Sequence, residues 1–509
     1  MFKKHPKGLL AASLANMGER FGFYTMMAIL SLFLMAKFGL DEVKAGIIYS
    51  TFYFSIYILA FVGGLIADKK RNYKGTILIG LILMTLGYFM IAIPTPTPVP
   101  AGLFGIYLAM TCSGLFVIAL GNGLFKGNLQ ALIGQMYDNP KYAAQRDSGF
   151  SLFYMFINVG AIFAPFAAVG IRNWWVSSHG FAYNSDLPAL CHEQLNGNIS
   201  PEAFTRLHQL ALKAGCGGTE MTTFAKEYLN LFATGFHYAF GVAILAMIIS
   251  LIVYVLNKKK FPDPKTAYER SLTSTVEMDV KEIKQRLYAL FAVFAVVIFF
   301  WFSFHQNGLT LTFFAKDYTK LSGLKFNVGF ITFQGAEIFQ SINPFFVVFL
   351  TPVIMAVFGM LRSRGKEPST PRKIAIGMGI AAFAYVVMSV CSLGLPSKGE
   401  ITLMGGLPDE QRVTPFLLIG TYLILTIAEL FISPMGISFV SKVAPPKYQG
   451  LMQGCWLGAT AIGNQLLLIG AIFYKSIPIS LTWTVFVVAC LTSMFTMIGM
   501  LKWLERITK

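Results

Sequence analysis

Charged residues are scarce in this sequence. Asp, Glu, Lys and Arg together make up 13% of its 509 residues, whereas 55% are hydrophobic and 15% are aromatic. An average soluble domain carries roughly 25% charged residues, and with a mean hydropathy of +0.62 we exclude a water-soluble fold. The sequence also lacks a His-Glu-x-x-His zinc motif and a nucleophile motif in a suitable setting. These absences argue against an enzyme, and we expect neither a metal nor a cofactor.

Acidic residues are especially few, 24 against 41 basic ones, which gives a net charge of +17. The basic residues cluster in every second loop between apolar runs, at 3–7, 69–74, 141–146, 258–270, 362–373 and 502–509. Under the positive-inside rule these loops and both termini face the cytoplasm, and the number of spans is even. The charge therefore indicates the cytoplasmic leaflet of a membrane, and not a nucleic-acid groove. The first apolar run carries charges and no small-residue cleavage site, so we expect no cleavable signal peptide.

Twelve apolar runs are long enough to cross a hydrocarbon core, which needs about 20 helical residues. We predict spans at 9–37, 44–67, 74–94, 102–136, 147–172, 232–256, 287–315, 326–361, 372–394, 413–440, 449–474 and 479–504. This pattern predicts an all-α membrane protein in two six-helix halves. The first half comprises 1–172 and 231–256 around an insertion at 173–230, a connector covers 257–286, and the second half covers 287–509.

The polar insertion at 173–230 contains two of the six cysteines, Cys191 and Cys216. The predicted topology places it outside the cell, where disulfides persist. We therefore predict a disulfide between these two residues, the alternative being two free thiols in a loop. Residues 201–213 also have the pattern of an amphipathic helix, which predicts a small cap to which the sequence assigns no role.

The stretch 63–71, Gly-Gly-Leu-Ile-Ala-Asp-Lys-Lys-Arg, resembles the loop signature of the major facilitator superfamily. By this resemblance Gly63 and Gly64 allow two helices to approach closely, while Asp68 and Lys69 make charge contacts at the cytoplasmic gate. The alternative is an ordinary basic loop. The position of the stretch between the second and third spans favours the motif.

Ionisable residues inside apolar runs are costly and mark functional sites by default. The fourth span carries Lys126 and the tenth carries Glu429. A purely structural interpretation pairs Glu19 with Arg20 or with Lys126. It leaves Glu429 without a partner in its own helix, and such a carboxylate either takes up a proton or binds a cation. The polar stripe of the first span consists of Asn16, Glu19, Arg20, Phe23, Tyr24 and Met27.

A cavity with cations on one wall and a carboxylate on the other suits a zwitterion with separated ends, such as a short peptide. Binding across the two halves would link the ligand to their rocking motion. Asn158 in the fifth span and Asn343 in the eighth could hydrogen-bond the ends of this ligand. For either residue, an amide that only joins helices is an equally good interpretation.

Five ordered motifs then resemble one known family. Residues 16–24 read Asn-Met-Gly-Glu-Arg-Phe-Gly-Phe-Tyr, similar to the signature Glu-x-x-Glu-Arg-Phe-x-Tyr-Tyr, and 153–160 read Phe-Tyr-Met-Phe-Ile-Asn-Val-Gly, similar to Phe-Tyr-x-x-Ile-Asn-x-Gly. The stretches 339–344, 429–434 and 452–456 follow in the expected order. Over nearly its whole length the chain resembles the proton-dependent oligopeptide transporters, which have the major facilitator fold.

The resemblance implies roles for particular residues. Glu19, Arg20 and Lys126 would form a proton-coupling and carboxylate-binding cluster, and Glu429 would bind the peptide amine and also carry protons. Asn158 and Asn343 would contact peptide ends or backbone. The remaining residues expected to shape the binding site are Tyr24, Tyr57, Trp301, Ser433 and Trp456.

This chain departs from the family pattern at several positions. Asn16 replaces the first glutamate of the signature, Phe23 its first tyrosine, and Met27 an arginine, while Gly127 stands where a proline is usual. His305 occupies the part of the seventh helix where an acidic residue is common. Two carboxylates of the usual proton circuit are therefore missing. His305 could be a proton-sensitive gate residue or a neutral hydrogen-bonding one.

We therefore predict a proton-coupled symporter that imports di- and tripeptides by alternating access and acts as a monomer in the lipid bilayer. One alternative is a carrier of another small zwitterion or anion, with weakened proton coupling, because a fold does not settle function. Another is a non-transporting peptide sensor, which would be expected to carry a sizeable soluble signalling domain that the short tails do not provide.

Overall fold

Twelve long apolar helices form a bundle in the computed structural model of this chain. The structure describes residues 5–70, 72–137, 139–143, 146–262, 279–329, 331–445 and 448–507, without the side chains at 68, 143, 146–148, 151, 438, 441, 449 and 450. By length and composition, twelve helical segments can cross a membrane. Each overlaps one predicted span, which confirms the prediction of a twelve-helix membrane protein.

The first half contains six spans and the insertion. α1 ends where Gly39 adopts a left-handed φ of 62° and donates its N–H to the carbonyl oxygen of Met35. In chain order the helices are α1 (Gly8–Phe38), α2 (Glu42–Lys70), α3 (Tyr73–Ala92), α4 (Phe104–Met136), α5 (Pro140–Ala143), α6 (Arg146–Ser178), α7 (Leu187–Asn196), α8 (Pro201–Lys213) and α9 (Met221–Asn257).

The second half contains the other six spans. Its elements are α10 (Val280–Phe304), α11 (Thr310–Tyr318), β1 (Phe326–Val328), β2 (Ile331–Phe333), α12 (Ile342–Ser363), α13 (Thr370–Cys391), α14 (Lys398–Leu403), α15 (Pro415–Val443), α16 (Gln449–Gln465), α17 (Leu467–Ser476) and α18 (Ile479–Ile507). The seventh span is α10 and α11, joined by a 3-10 turn at His305–Gly308. The eleventh is α16 and α17.

The eighth span begins later than predicted. Residues 326–333 are not helical but form an antiparallel hairpin in which Phe326 pairs with Phe333. The two rings stack at 5.0 Å and both contact Phe166 of α6. Alternating aromatic and β-branched residues favour strands, so the apolar run beginning at 326 contains a hairpin, then a 3-10 turn at Ala336–Ser341, then α12.

The insertion is narrower than 173–230, because α6 continues to Ser178 and α9 begins at Met221. Residues 179–220, hereafter the insertion, contain α7 and α8, and α8 coincides with the predicted helix at 201–213. The predicted disulfide is wrong, since Cys191 and Cys216 are both free and buried. Cys216 Sγ instead donates to the Thr219 carbonyl oxygen at 3.6 Å. Burial raises the pKa of the Cys191 thiol.

Close helix packing depends on Gly63 but not on Gly64. A Cβ atom on Gly63 would lie 2.2 Å from the carbonyl oxygen of Gly123 in α4, whereas one on Gly64 would meet nothing within 4 Å. The predicted packing role is therefore wrong for Gly64, which points away from α4. Lys69 is exposed. The side chain of Asp68 lies outside the described part of the structure, so its predicted gate contact stays a prediction.

Ion pairs join the two halves at one end of the bundle. At this end, hereafter the insertion end, α1 ends, α2 begins and the insertion lies; the opposite one is the terminal end. Ion pairs join Lys475 Nζ to Asp41 Oδ2 at 2.7 Å and Lys398 Nζ to Glu42 Oε1 at 3.1 Å. Between the halves, Tyr154 of α6 lies within electrostatic reach of Glu429 yet is 45% exposed. An accessible space thus lies beside Glu429, whereas ion pairs join the halves at the insertion end.

Candidate functional site

A compact polar cluster lies in the first half, where α1 faces α4. Arg20 binds both carboxylate oxygens of its neighbour Glu19, at 2.5 and 2.6 Å. Asn122 of α4 donates to Glu19 Oε1 at 2.6 Å. All three side chains are buried. The structure therefore contains the Glu19–Arg20 pair that the purely structural interpretation expected, and Asn122 is added to the cluster.

Lys126 lies one turn along α4 from Asn122. Among the described residues no carboxylate lies within 4 Å of its Nζ, which instead sits 4.5 Å from the centre of the Tyr57 ring. The face of an aromatic ring attracts a cation, and this contact leaves the positive charge without an ion-pair partner. The Lys126 side chain is partly exposed. It is therefore a cation that an anionic ligand can reach.

The second half contributes a carboxylate held by neutral groups. Asn343 at the start of α12 donates to Glu429 Oε2 at 2.8 Å and to Thr426 Oγ1 at 3.0 Å. No Lys or Arg among the described residues pairs with Glu429. Ser433, one turn further along α15, is partly exposed. Glu429 is thus an anion whose own half, as described, supplies hydrogen bonds but no counter-charge.

Tyr24 lies between the two charged walls. Its hydroxyl is within electrostatic reach of Arg20 in the same helix and of Glu429 in the other half. The Tyr57 hydroxyl is also within electrostatic reach of both Arg20 and Glu429. Both tyrosines are partly exposed. The predicted residues Arg20, Tyr24, Tyr57, Lys126 and Glu429 therefore surround one space.

His305 is placed at the end of α10 and joins this region through aromatic contacts. Its ring stacks on Trp301 at 4.9 Å and lies 4.9 Å from the ring of Tyr53. Its Nδ1 lies 2.5 Å from Asn464 Oδ1 in α16. Since an amide oxygen can only accept, the imidazole donates this hydrogen bond. The contact needs no positive charge on His305.

Two predicted binding residues have other partners. Asn158 donates to the carbonyl oxygen of Tyr154 one turn back in its own helix at 3.0 Å, a contact within α6 that does not join two helices. Trp456 is buried and packs against α15, where a Cβ atom on Gly436 would lie 2.0 Å from its ring. Neither contact brings these side chains to the carboxylate of Glu429.

Sequence reasoning missed a buried ion pair between the halves. Arg172 Nη1 of α6 pairs with Glu337 Oε1 in the 3-10 turn before α12, and both side chains are at most 1% exposed. Arg172 also donates to Asn173 Oδ1, and its guanidinium lies 4.4 Å from the Tyr183 ring centre. An acidic residue within the apolar run at 326–361 was the available signal. It went unused because that run was treated as one helix.

No group of three or more His, Cys, Asp or Glu residues suited to a metal ion occurs in the part of the chain that the structure describes.

The chain is similar to known proteins over most of its length. The family model of the POT family matches residues 74–276 and 265–484 of the chain. The peptide transporter YePEPT of Yersinia enterocolitica is 29% identical over 481 residues, which cover 91% of this chain and 87% of that protein. Dipeptide and tripeptide permease B of Edwardsiella piscicida is 26% identical over 465 residues, 89% of this chain and 83% of that protein.

Solved structures agree on the fold. A structure described as peptide transporter POT in complex with sulfate superposes with a TM-score of 0.73 at 22% identity, covering 100% of this chain and 96% of that one. A POT family transporter in complex with 5-aminolevulinic acid gives a TM-score of 0.71 at 21% identity, covering 100% and 98%. At these identities the likeness shows a shared fold.

Proposed function

Because this chain belongs to the POT family of transporters, we propose that it is a proton-coupled symporter that imports di- and tripeptides by alternating access. One observation carries this proposal. Among the described residues, Lys126 has no carboxylate within 4 Å of its Nζ and Glu429 has no cationic partner, and the two residues belong to different halves and border one accessible space. The relatives named as peptide transporters and permeases support the same substrate class.

The peptide would bridge the two halves. Its carboxylate would bind Lys126 and Arg20, and its amine would bind Glu429, with Tyr24 and Tyr57 between the two ends. Each contact replaces hydration with a charge-assisted hydrogen bond, which is about twice as strong as a neutral one. Because the two anchors move with different halves, peptide binding would favour a state in which the halves lie closer together. One chain supplies both anchors, in agreement with a monomer.

Proton uptake would act on the same groups. Glu19 accepts hydrogen bonds from Nε and Nη2 of Arg20, so a proton on Glu19 would weaken this pair and release Arg20 toward the peptide carboxylate. A proton on Glu429 would remove the charge that binds the amine and would favour peptide release. His305, whose partner is the neutral amide of Asn464, would be a neutral gate residue in this scheme.

The positive-inside pattern would place the insertion end outside the cell and both termini in the cytoplasm. The structure would then be inward-facing, since ion pairs join the halves at the insertion end and an accessible space lies beside Glu429. The membrane would be the inner membrane of a bacterium.

The test is uptake of labelled dialanine into liposomes that contain the purified protein, with and without an inside-alkaline pH gradient. We expect accumulation above the outside concentration only with the gradient. Glu429→Gln should abolish it, and Glu227→Gln, which changes an exposed carboxylate of α9, should not. If dialanine reaches the same concentration on both sides of the membrane with or without the pH gradient, peptide transport is supported and proton coupling is rejected.

If dialanine does not enter, the peptide proposal fails. The same liposomes would then be tested with 5-aminolevulinic acid, which also carries one amine and one carboxylate and is bound by a solved POT family transporter. Its uptake without dialanine uptake would identify a carrier of another small zwitterion.

A further inference from the structure

The insertion is anchored firmly to the first half. His192 Nε2 of α7 lies 2.8 Å from the carbonyl oxygen of Ala36 in α1. Tyr228 of α9 donates to the carbonyl oxygen of Ala182 at 3.1 Å and accepts from the N–H of Asn184 at 3.0 Å. Phe181 packs against Tyr228 at 5.9 Å. The insertion would therefore move together with the first half.

The same insertion also contacts the second half. Asp186 accepts a hydrogen bond from Arg412 Nη2 at 2.6 Å, and both side chains of this ion pair are less than one tenth exposed. Ser200, the N-cap of α8, donates to the carbonyl oxygen of Leu403 at 2.6 Å. A Cβ atom on Gly405 would lie 2.8 Å from the Ala203 Cα. Side-chain and backbone groups of the second half thus make direct contact with the insertion.

Arg412 is held rigidly by its own half. Its Nε donates to the carbonyl oxygen of Leu407 at 2.8 Å and its Nη1 donates to that of Lys316 at 3.2 Å. A guanidinium fixed in this way loses little side-chain entropy when it binds Asp186. The ion pair is therefore a preformed contact between the halves, unlike a pair of long side chains in solvent.

A cavity of about 270 Å³ is lined by both halves and by the insertion, and its lining includes Ser185 and Thr402, the chain neighbours of Asp186 and Leu403. Arg172 and Glu337, the buried ion pair between the halves, form part of its wall. A ligand entering from the insertion end would have to pass the insertion and this pair. The insertion therefore spans the route that must open.

We propose that the insertion is a strap which closes the insertion end, and that the Asp186–Arg412 pair is its releasable lock. The strap stays on the first half, and the lock opens each time the halves separate. This inference rests on the alternating access of the proposed function but on neither the substrate nor the proton.

The first experiment measures opening without any substrate. Ser341 is buried in the 3-10 turn that packs against α1 and α6, and cysteine is close to serine in size. In a background in which the exposed Cys391 is alanine, Ser341→Cys would be labelled in liposomes by a membrane-impermeant thiol reagent. The labelling rate reports how often the insertion end opens.

We expect Arg412→Gln and Asp186→Asn each to raise this rate about tenfold or more, because hydrogen bonds to charged groups contribute about 1.5–3 kcal/mol and tenfold corresponds to about 1.4 kcal/mol. Arg206→Gln is the matched control. Arg206 also approaches Asp186, at 4.0 Å, but belongs to the insertion itself, so its loss should change the rate less than twofold. Equal rates in all variants would overturn the proposal.

The second experiment fixes the lock. Ser200→Cys with Leu403→Cys would join the insertion to the second half through a disulfide. Ala182→Cys with Ala214→Cys would form a control disulfide within the insertion, where the Ala182 N–H donates to the Ala214 carbonyl oxygen at 2.9 Å. Only the first disulfide should stop labelling at position 341, and reduction should restore it. Continued labelling with the first disulfide formed, or failure of that disulfide to form, would overturn the proposal. Absent dialanine uptake with normal labelling would instead reject only the proposed substrate.

Discussion

Removing one member of the buried Arg172–Glu337 pair should open the insertion end. Glu337→Gln leaves the Arg172 charge buried without its carboxylate, and breaking a buried ion pair in this way costs about 3–5 kcal/mol. Arg172 would keep its bonds to Asn173 Oδ1 at 3.1 and 3.0 Å and its contact with the Tyr183 ring, so we expect the lower end of this range. About 3 kcal/mol shifts the equilibrium between closed and open states by roughly a hundredfold.

The assay is the labelling rate of Ser341→Cys, which should rise steeply in Glu337→Gln. Glu193→Gln is the matched control, because Glu193 lines the same cavity but forms no ion pair among the described residues. Arg172→Met combined with Glu337→Met should close the end again, since a buried ion pair replaced by apolar side chains is often neutral or stabilising. A rate in Glu337→Gln equal to that of its parent would refute the view that this pair holds the halves together.

Three other predictions concern packing, ligand binding and the loop after α12. Gly63→Ala should lower the melting temperature of the detergent-purified protein, because its Cβ would meet the α4 backbone, while Gly64→Ala should leave it unchanged; equal melting would contradict the packing. Lys126→Gln should raise the KM for dialanine about tenfold, because the peptide carboxylate loses its cationic partner. Competition by dialanine amide, which lacks the carboxylate, should be unaltered. An equal loss of affinity for dialanine and for dialanine amide would reject the assigned role. Hydrogen bonds from Arg362 and Lys373 lower the pKa of Glu367 to about 2. Glu367 therefore stabilises the fold at pH values above its ordinary pKa, and this stabilisation is lost as the pH falls toward 2. Because its partner Arg362 is exposed, Glu367→Gln should cost less than about 1 kcal/mol at pH 7, and the difference in thermal unfolding should shrink below pH 4. A difference independent of pH would exclude this cause.

The sequence alone determined the features that depend on neighbours along the chain. The twelve spans follow from apolar length, since each helix satisfies its own backbone hydrogen bonds in the bilayer. The helix at 201–213 follows from its periodicity. Glu19 and Arg20 follow Asn16 by three and four residues and could therefore be assigned to its stripe of α1, because a helix returns to the same face every three to four residues.

Only the tertiary structure decided which side chains meet across the chain. Arg172 and Glu337 are 165 positions apart, and His305 and Asn464 are 159 apart, so no local pattern could pair them. Cys191 and Cys216 are close in sequence, yet packing of α7 and α8 leaves both as buried free thiols. Hydropathy measures the mean apolarity of a run, and it therefore identified the span at 326–361 without showing its hairpin or its buried carboxylate. Pairings of this kind depend on how the two halves pack, and that is a property of the folded chain as a whole.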